Sequence, residues 1–338
     1  MARVFIVTGA SGHLGNTIVK KLCEQGETIR CLVMPGDPSP ALAGLPVQSV
    51  AGDICDLPSL DQLFSGLDDR EIYVIHTAGI VSIASHFMQK VYDVNVTGTA
   101  NIIAKCQQYA VKRLIYISSV HAIPELPTGE MISEINDFDP ERVVGLYAKT
   151  KAEASRLVLD AAKKGLDGVV IHPSGIGGPN DYGHGHLTQL VMDFLDGRLT
   201  AGIQGGYDFV DVRDVADGVI AAVEQAKSGE CYILSNRFCS VPELLDIVAE
   251  TSGKKRVRTI LPLWFAKATA PLAELWYKLM KQPPLFTKYS LFTLTSNALF
   301  SHQKAARELN YRPRNFRETV ADTVRFLREN HRVKPHKS

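Results

Sequence analysis

Short apolar runs, separated by polar turns and helical patterns, recur along the first two thirds of the chain. The first run, residues 4–7, leads into a glycine-rich turn and then into a segment whose apolar residues have helical spacing. Continuous apolar runs are typical of parallel strands buried on both faces. We therefore predict an α/β fold with a parallel sheet. The predicted strands are 4–7, 28–34, 47–50, 72–75, 113–117 and 167–171, with a later one at 231–234.

The second half of the chain carries helix-start signals and one long apolar segment. Asp211–Asp214 predicts a helix start, and Ser240–Glu243 has the spacing of a capping box. Residues 261–280 hold both tryptophans. This segment suits an apolar wall over a hydrophobic substrate, shallow contact with a membrane surface, or a helix packed on its own core. The residues from His331 onward are expected to form a frayed polar tail.

Composition excludes several classes of protein. The 338 residues carry a formal net charge of +1 and are 45% hydrophobic, which argues against disorder and gives no electrostatic reason to bind nucleic acid. The six cysteines show neither paired nor metal-ligand spacing, so we expect reduced thiols and no metal site. No apolar run reaches the roughly 18–20 residues needed to span a bilayer. With a strand starting at Arg3 and leaving no room for a signal segment, a cytoplasmic location is expected.

The glycine-rich turn between the first strand and the first helix predicts a phosphate-binding site. A turn of this kind offers free backbone N–H groups at the positive end of a helix dipole, and glycine allows a pyrophosphate to approach closely. The spacing is Gly-x-x-Gly-x-x-Gly rather than the common dinucleotide fingerprint. The candidate residues are Gly9, Ser11, Gly12, His13, Leu14 and Gly15.

The end of the second strand bears on the choice between NAD and NADP. In dinucleotide-binding folds an acidic residue there reads the ribose 2′-hydroxyl, and a basic one reads a 2′-phosphate. Here neither stands at the usual place, and no Lys or Arg occurs between Cys31 and Asp69, so a 2′-phosphate would need Arg30 or a distant cation. We therefore favour NAD. Asp37 either takes the ribose or is a solvated turn carboxylate, and Asp53 either accepts from the adenine amino group or caps its loop.

A Tyr-x-x-x-Lys spacing supplies the candidate chemistry. Tyr147 and Lys151 lie four residues apart in a helical pattern, so their side chains share a face. A nearby ammonium is expected to lower the tyrosine pKa from its usual value of about 10, towards that of a general acid or base at neutral pH. Ser118 and Ser119 end the fifth strand, where a hydroxyl would face the ligand crevice.

Together these motifs resemble the extended short-chain dehydrogenase/reductases, the NAD-dependent epimerase/dehydratase family. The chain is most similar to dihydroflavonol-reductase-like and 3β-hydroxysteroid-dehydrogenase-like members. The resemblance implies a Rossmann-type doubly wound parallel sheet and a smaller, mainly helical C-terminal substrate lobe. The implied core covers residues 1–174 and parts of 211–235, and the lobe covers 175–210 and 236–330. The matching segments, in chain order, are 8–15, 53–54, 77–79, 95, 118–119, 147–151, 172–179, 209–216 and 304–311.

The resemblance also implies a role for each matching residue. Tyr147 would be the general acid/base, Lys151 would tune it and hold the nicotinamide ribose, and Ser119 would hydrogen-bond the substrate carbonyl. Asn95 would lie nearby and could serve in a proton relay. His121 and His172 are interpreted as packed or loop histidines that could touch the site. Further cofactor contacts are implied at Asp53, Ile54, Thr77, Ala78, Gly79, Pro173, Ser174 and Gly175.

Three functions stay open at this stage. The first is a reductase or dehydrogenase that exchanges NAD(P) with solution and acts on a fairly apolar ketone or secondary alcohol. The second is a nucleotide-sugar epimerase or dehydratase with retained NAD; the Asp-Glu pair of family dehydratases and the Val-Tyr-Gly of epimerases are absent after Ser119. The third is a non-catalytic dinucleotide sensor, which the presence of Ser119, Tyr147 and Lys151 disfavours. A small-molecule partner is expected, and a homodimer is left open.

Overall fold

A seven-stranded parallel sheet forms the centre of the molecule. The structure, a computed structural model, describes residues 2–83, 86–183, 185–264 and 292–333. The sheet contains β1 (Ala2–Thr8), β2 (Ile29–Val33), β3 (Gln48–Ala51), β4 (Arg70–His76), β5 (Arg113–Ile117), β6 (Gly168–Pro173) and β10 (Cys231–Leu234). Its strand order is β10-β6-β5-β4-β1-β2-β3, with every neighbouring pair parallel. This confirms the predicted Rossmann-type sheet.

Helices cover both faces of this sheet. They are α1 (His13–Glu24), α2 (Asp61–Phe64), α3 (Gln89–Tyr92), α4 (Gly98–Gln108), α5 (Leu146–Lys163), α7 (Val212–Gln225) and α9 (Gln303–Glu308). Apolar side chains of α1, α7 and α9 pack on one face, and those of α2, α4 and α5 on the other. Strands buried on both faces appear in the sequence as continuous apolar runs, whereas the edge strand β3 is mostly exposed.

The remaining elements form a smaller unit with its own apolar cluster. It contains helices α6 (His186–Leu195), α8 (Val241–Ser252) and α10 (Phe316–Glu329), with two small sheets. The sheets comprise β7 (Gly175–Gly177), β9 (Gly206–Asp211) and β11 (Arg237–Ser240), and β8 (Gly202–Ile203) with β12 (Ile260–Leu261).

The sequence predicted a mainly helical lobe, and two of its predictions meet the structure differently. Strands of two to six residues have too few positions to show a clear period, so the small sheets were missed. Helix α9 contacts β10 and joins the apolar cluster of the large sheet, although the sequence grouped 236–330 with the lobe. The predicted cap at Ser240 is confirmed, because its hydroxyl accepts from the backbone N–H of Glu243 at 3.2 Å.

A π-helical turn, Asp93–Thr97, joins α3 to α4. Asn95 lies in this turn and is buried. Wider turns of this type redirect side chains and are common at functional sites.

Some predictions lie outside the described residues. The apolar segment is described only as far as Trp264, and most of the polar tail falls at 334–338. Among the residues that the structure covers, no helix is long and apolar enough to cross a membrane. All six cysteines lie in the described part and are free thiols, as predicted.

Candidate active site

The candidate residues converge where the central strands end. Thr8 at the end of β1 is in register with His76 at the end of β4, and His76 is in register with Tyr116 of β5. The glycine-rich turn and the segments after His76 and Ile117 therefore leave the sheet side by side. This carboxyl edge is where ligands bind in open α/β sheets.

The glycine-rich turn is shaped for close approach to its backbone. Gly9 has φ +66°, and a Cβ on it would lie 2.6 Å from the backbone nitrogen of Ala78. A Cβ on Gly15 would lie 2.1 Å from the carbonyl oxygen of Gly9, so neither position accepts a side chain. Helix α1 begins after Gly12 with neither a capping side chain nor an acidic residue in its first turn. These features fit a dinucleotide pyrophosphate.

Three side chains of this turn have other partners. Leu14 is buried in the sheet cluster, so its side chain serves the core. A ring nitrogen of His13 lies 2.9 Å from the carbonyl oxygen of Pro179, which fastens the chain after β7 to the turn. Ser11 donates a 2.5 Å hydrogen bond to Asp37. This bond brings the carboxylate of Asp37 against the turn, at the end of β2 where a ribose is expected.

Arg30 does not supply a cation for a 2′-phosphate. Its guanidinium is buried and donates to the carbonyl oxygens of Leu63 and Ser65, each at 2.9 Å, and to the side chain of Gln48. It therefore stabilises the end of α2 instead of facing the glycine-rich turn.

The segment proposed to contact adenine is held by local hydrogen bonds. Asp53 accepts from the backbone N–H of Cys55 at 2.9 Å, which is the loop-cap role. Ile54 is buried, and its carbonyl oxygen accepts from the amide of Asn101 at 2.8 Å. Recognition of adenine by Asp53 stays a prediction.

Tyr147 and Ser119 meet at the end of β5. Tyr147 lies in the first turn of α5 and is buried, and a hydrogen bond with Ser119 acts to lower its pKa. The Ser119 hydroxyl also accepts from the backbone N–H of His121 at 3.2 Å. The hydroxyl of Ser118 lies 2.7 Å from that of Ser155 instead. Of the serine pair, Ser119 is thus the one directed at Tyr147.

Lys151 lies one turn further along α5 and is almost fully buried. Its ammonium nitrogen donates to the carbonyl oxygen of Ile117 at 2.7 Å and lies 4.9 Å from the ring centroid of Tyr116. Burial disfavours the charged form and lowers the pKa of Lys151 to about 7.

The expected lowering of the tyrosine pKa is not found. Burial outweighs the Ser119 hydrogen bond and raises the pKa of Tyr147 to about 12. The four-residue spacing showed that Lys151 could lie beside Tyr147, but not how much solvent both groups lose. At neutral pH the phenol is therefore protonated and ready to donate.

Asn95 faces the same corner of the site. Its amide oxygen accepts from the backbone N–H of Ile80 at 2.8 Å, and its amide nitrogen donates to Ile80 and to the hydroxyl of Thr150, both at 3.0 Å. A Cβ on Gly79 would lie 3.3 Å from both Asn95 and the ammonium of Lys151. Asn95 thus shapes the floor of the site, and its part in a proton relay stays a prediction.

The segments after β4 and β6 complete the edge. Thr77 donates to the carbonyl oxygen of Thr8 at 2.7 Å, and the backbone N–H of Ala78 donates to the hydroxyl of Thr8 at 3.3 Å. After Pro173, Ser174 donates to Asp208 of β9 at 2.5 Å, so its side chain is directed at the small sheet. Gly175 begins β7 where a Cβ would lie 2.9 Å from the carbonyl oxygen of Asp208.

Both histidines that the sequence singled out are packed against aromatic rings, and His172 is fully buried. His172 stacks on Phe138 at 5.2 Å, and its Nδ1 lies 2.9 Å from the carbonyl oxygen of Ser119. The ring of His121 lies 6.1 Å from that of Tyr147 and stacks on Tyr207 at 5.4 Å.

A mainly apolar pocket opens beside His121. Its polar members include Glu125, which accepts from the backbone N–H of Asn297 at 2.7 Å. The apolar and aromatic lining is Val120, Ile123, Ile132, Val143, Val144, Tyr207, Phe292 and Phe300. Within the described residues no group of His, Cys, Asp or Glu side chains could hold a metal ion.

A glycine-rich turn at a helix start and a buried Tyr–Ser–Lys group meet at the carboxyl edge of a parallel sheet, the arrangement that the sequence predicted for a dinucleotide-dependent enzyme. The chain belongs to the NAD dependent epimerase/dehydratase family, whose family model matches residues 5–235.

Known relatives span nearly the whole chain. The sterol demethylase protein B of Methylococcus capsulatus is 31% identical over 96% of this chain and 98% of its own length. A protein of Synechocystis, provisionally named as a dihydroflavonol 4-reductase, is 29% identical over 99% of this chain and 97% of its own. The crystal structure of gox2253 superposes with a TM-score of 0.84 at 29% identity, covering 98% of this chain and 99% of that one. The chain is thus similar to these relatives along nearly its whole length.

Proposed function

We propose that this enzyme reduces a ketone on an apolar small molecule to a secondary alcohol, using NADH that exchanges with solution. The observation that carries the proposal is a protonated, buried Tyr147 beside Ser119, next to a pocket lined mainly by apolar and aromatic side chains. The relatives support it, because one name refers to sterols and the other to a reductase.

In this proposal the chain's own residues bind and protonate the substrate oxygen. A bound nicotinamide supplies the hydride. The Tyr147 hydroxyl donates its proton to the carbonyl oxygen, and Ser119 hydrogen-bonds the same oxygen as negative charge develops on it. Lys151 helps hold the cofactor ribose and, when charged, favours the phenolate left after proton transfer.

Burial keeps the Tyr147 phenol protonated at neutral pH, because it raises the pKa to about 12. The protonated phenol is the form that donates to a carbonyl oxygen during reduction.

The second candidate is a nucleotide-sugar epimerase or dehydratase, which the family description includes. The lining of the pocket favours the ketone reductase because it is mainly apolar, although Arg142, Ser296 and Asn297 also line it. Glu125 is the carboxylate of this pocket, and it already accepts a backbone hydrogen bond from Asn297.

Cofactor content separates the two candidates. Purified protein is denatured, and the released nicotinamide nucleotide is quantified against protein concentration. We expect far less than one nucleotide per chain, and consumption of added NADH when an apolar ketone is supplied. Stoichiometric NAD that does not exchange with labelled NAD would favour the epimerase.

We expect a preference for NADH, set in part by Asp37. Its carboxylate, held against the turn by Ser11, would hydrogen-bond a ribose hydroxyl and repel a 2′-phosphate. Asp37→Ser should lower the ratio of kcat/KM for NADH to that for NADPH by about tenfold, the scale of one hydrogen bond to a charged group. Asp69→Asn, on an exposed carboxylate at the start of β4, is the control. An unchanged ratio in Asp37→Ser would remove Asp37 from the cofactor site.

A further inference from the structure

A chain of buried hydrogen bonds runs from Thr8, just before the glycine-rich turn, to the first turn of α5. His76 lies at its centre. His76 ends β4 and is fully buried. Its Nδ1 lies 2.6 Å from the hydroxyl of Thr8, and its Nε2 lies 3.1 Å from the hydroxyl of Thr99. None of these three residues belongs to the proposed acid/base group.

The chain continues from Thr99 to Tyr147. The Thr99 hydroxyl donates to the carbonyl oxygen of Asn95 at 2.7 Å. The Asn95 amide nitrogen donates to the hydroxyl of Thr150 at 3.0 Å, and that hydroxyl donates to the carbonyl oxygen of Tyr147 at 2.8 Å. Thr8, His76, Asn95, Thr99 and Thr150 are all at most 1% exposed.

The direction of every bond follows from its two ends. A carbonyl oxygen only accepts, so the single hydroxyl hydrogen of Thr99 points at Asn95, and Thr99 must accept from His76. Nε2 of His76 therefore carries a hydrogen. Burial lowers the pKa of His76 to about 3, so the ring is neutral and its bare Nδ1 accepts from Thr8. Thr8 in turn accepts from the backbone N–H of Ala78 at 3.3 Å.

We propose that His76, as the neutral Nε2–H tautomer at the end of β4, is a positioning residue that sets the first turn of α5, and with it Tyr147, through its donor bond to Thr99. The catalytic part of this inference rests on the proposed function. A fully connected buried network favours a single arrangement of the groups it joins, because shifting one of them leaves buried donors and acceptors unpaired. The rate of proton transfer from Tyr147 depends steeply on where its hydroxyl lies relative to the reacting oxygen.

Two substitutions of His76 test its two hydrogen bonds separately. The amide nitrogen of Gln lies as many bonds from the backbone as Nε2 does, so His76→Gln can still donate to Thr99. The amide oxygen of Asn corresponds in the same way to Nδ1, so His76→Asn can still accept from Thr8 but leaves Thr99 without a donor. Each variant keeps one of the two hydrogen bonds, and general loss of packing affects both.

The expected result is an asymmetry between the two variants. His76→Asn should lower kcat at saturating NADH about tenfold with KM for NADH within about twofold, and His76→Gln should stay within about threefold of the parent. In the protein without added nucleotide, hydrogen–deuterium exchange in the peptide covering 146–155 should be faster for His76→Asn than for His76→Gln. Exchange does not depend on turnover, so it tests the linkage by itself.

Thr99→Val breaks the next bond and keeps the test decisive if one His76 variant folds poorly. Thr99→Val should match His76→Asn in kcat and in exchange. The double variant with His76→Asn and Thr99→Val should be no worse than either single variant, since both substitutions break the same hydrogen bond. Equal behaviour of the Asn and Gln variants, or additive losses in the double variant, would overturn the inference. The predicted exchange pattern in a protein that reduces no ketone would instead overturn the proposed function alone.

Discussion

Tyr147→Phe is expected to lower kcat for ketone reduction by about 10³-fold, within the range that general acid catalysis contributes. The substitution removes the hydroxyl that would donate the proton and leaves the ring in place. Tyr147 is buried at the start of α5 and hydrogen-bonded to Ser119. Steady-state NADH oxidation at 340 nm measures the loss, and binding of NADH should change by less than about threefold.

A control variant distinguishes the loss of chemistry from the loss of a tyrosine hydroxyl elsewhere. Tyr109 follows α4 at the opposite edge of the sheet, and its hydroxyl donates to Asp61 at 3.1 Å. Tyr109→Phe removes one tyrosine hydrogen bond outside the site and should leave kcat nearly unchanged. Activity of Tyr147→Phe close to that of Tyr109→Phe would exclude Tyr147 as the acid.

Lys151→Met is expected to lower kcat/KM by about 100-fold and, at the same time, to stabilise the fold below pH 7. Activity falls because Lys151 would no longer favour the phenolate or hold the cofactor ribose. Stability rises because burying the ammonium is costly, which is why burial lowers the pKa of Lys151 to about 7 from 10.5. A methionine of similar length fills the same space without charge.

The effect of Lys151 on the free energy of unfolding depends on pH. Between pH about 7 and 10.5 the unfolded chain holds a proton on Lys151 that the folded chain does not. The free energy of unfolding of the parent should therefore rise with pH across this window, with a contribution on the order of 5 kcal/mol. In Lys151→Met that contribution is absent, so the stability difference is largest below pH 7 and vanishes above 10.5.

Urea unfolding at a series of pH values measures the difference. Lys149→Met is the control, because Lys149 is partly exposed and pairs with Glu141 at 2.8 Å. Its curve should run parallel to that of the parent. A Lys151→Met curve that is also parallel would show that the pKa of Lys151 is close to its ordinary value.

The sequence predicted the sheet because a buried parallel strand has a local pattern. Each central strand is buried on both faces, so it appears as an apolar run. Tyr147, Lys151 and Ser119 were found from helical spacing, a strand end and a family resemblance, and the structure brings them to one edge.

Features that depend on several distant elements escaped prediction. The pKa of Tyr147 depends on burial by all the segments around it, which residue spacing alone does not show. The role of His76 needs partners from β1, α4 and its own strand, which no motif joins. The hydrogen bond from Ser11 to Asp37 joins two segments 26 residues apart, so spacing could not predict it.

Transfer of isotope from cofactor to product tests the central claim most directly. The enzyme is incubated with NADH carrying deuterium at both C4 positions and with apolar ketones such as 2-tetralone and a 3-ketosteroid, and the alcohols are analysed by mass spectrometry. We predict one deuterium on the carbinol carbon with the parent enzyme, and about 10³-fold slower formation of the same alcohol with Tyr147→Phe. Absence of deuterated alcohol, together with co-purified NAD and epimerisation of a nucleotide sugar, would contradict the account.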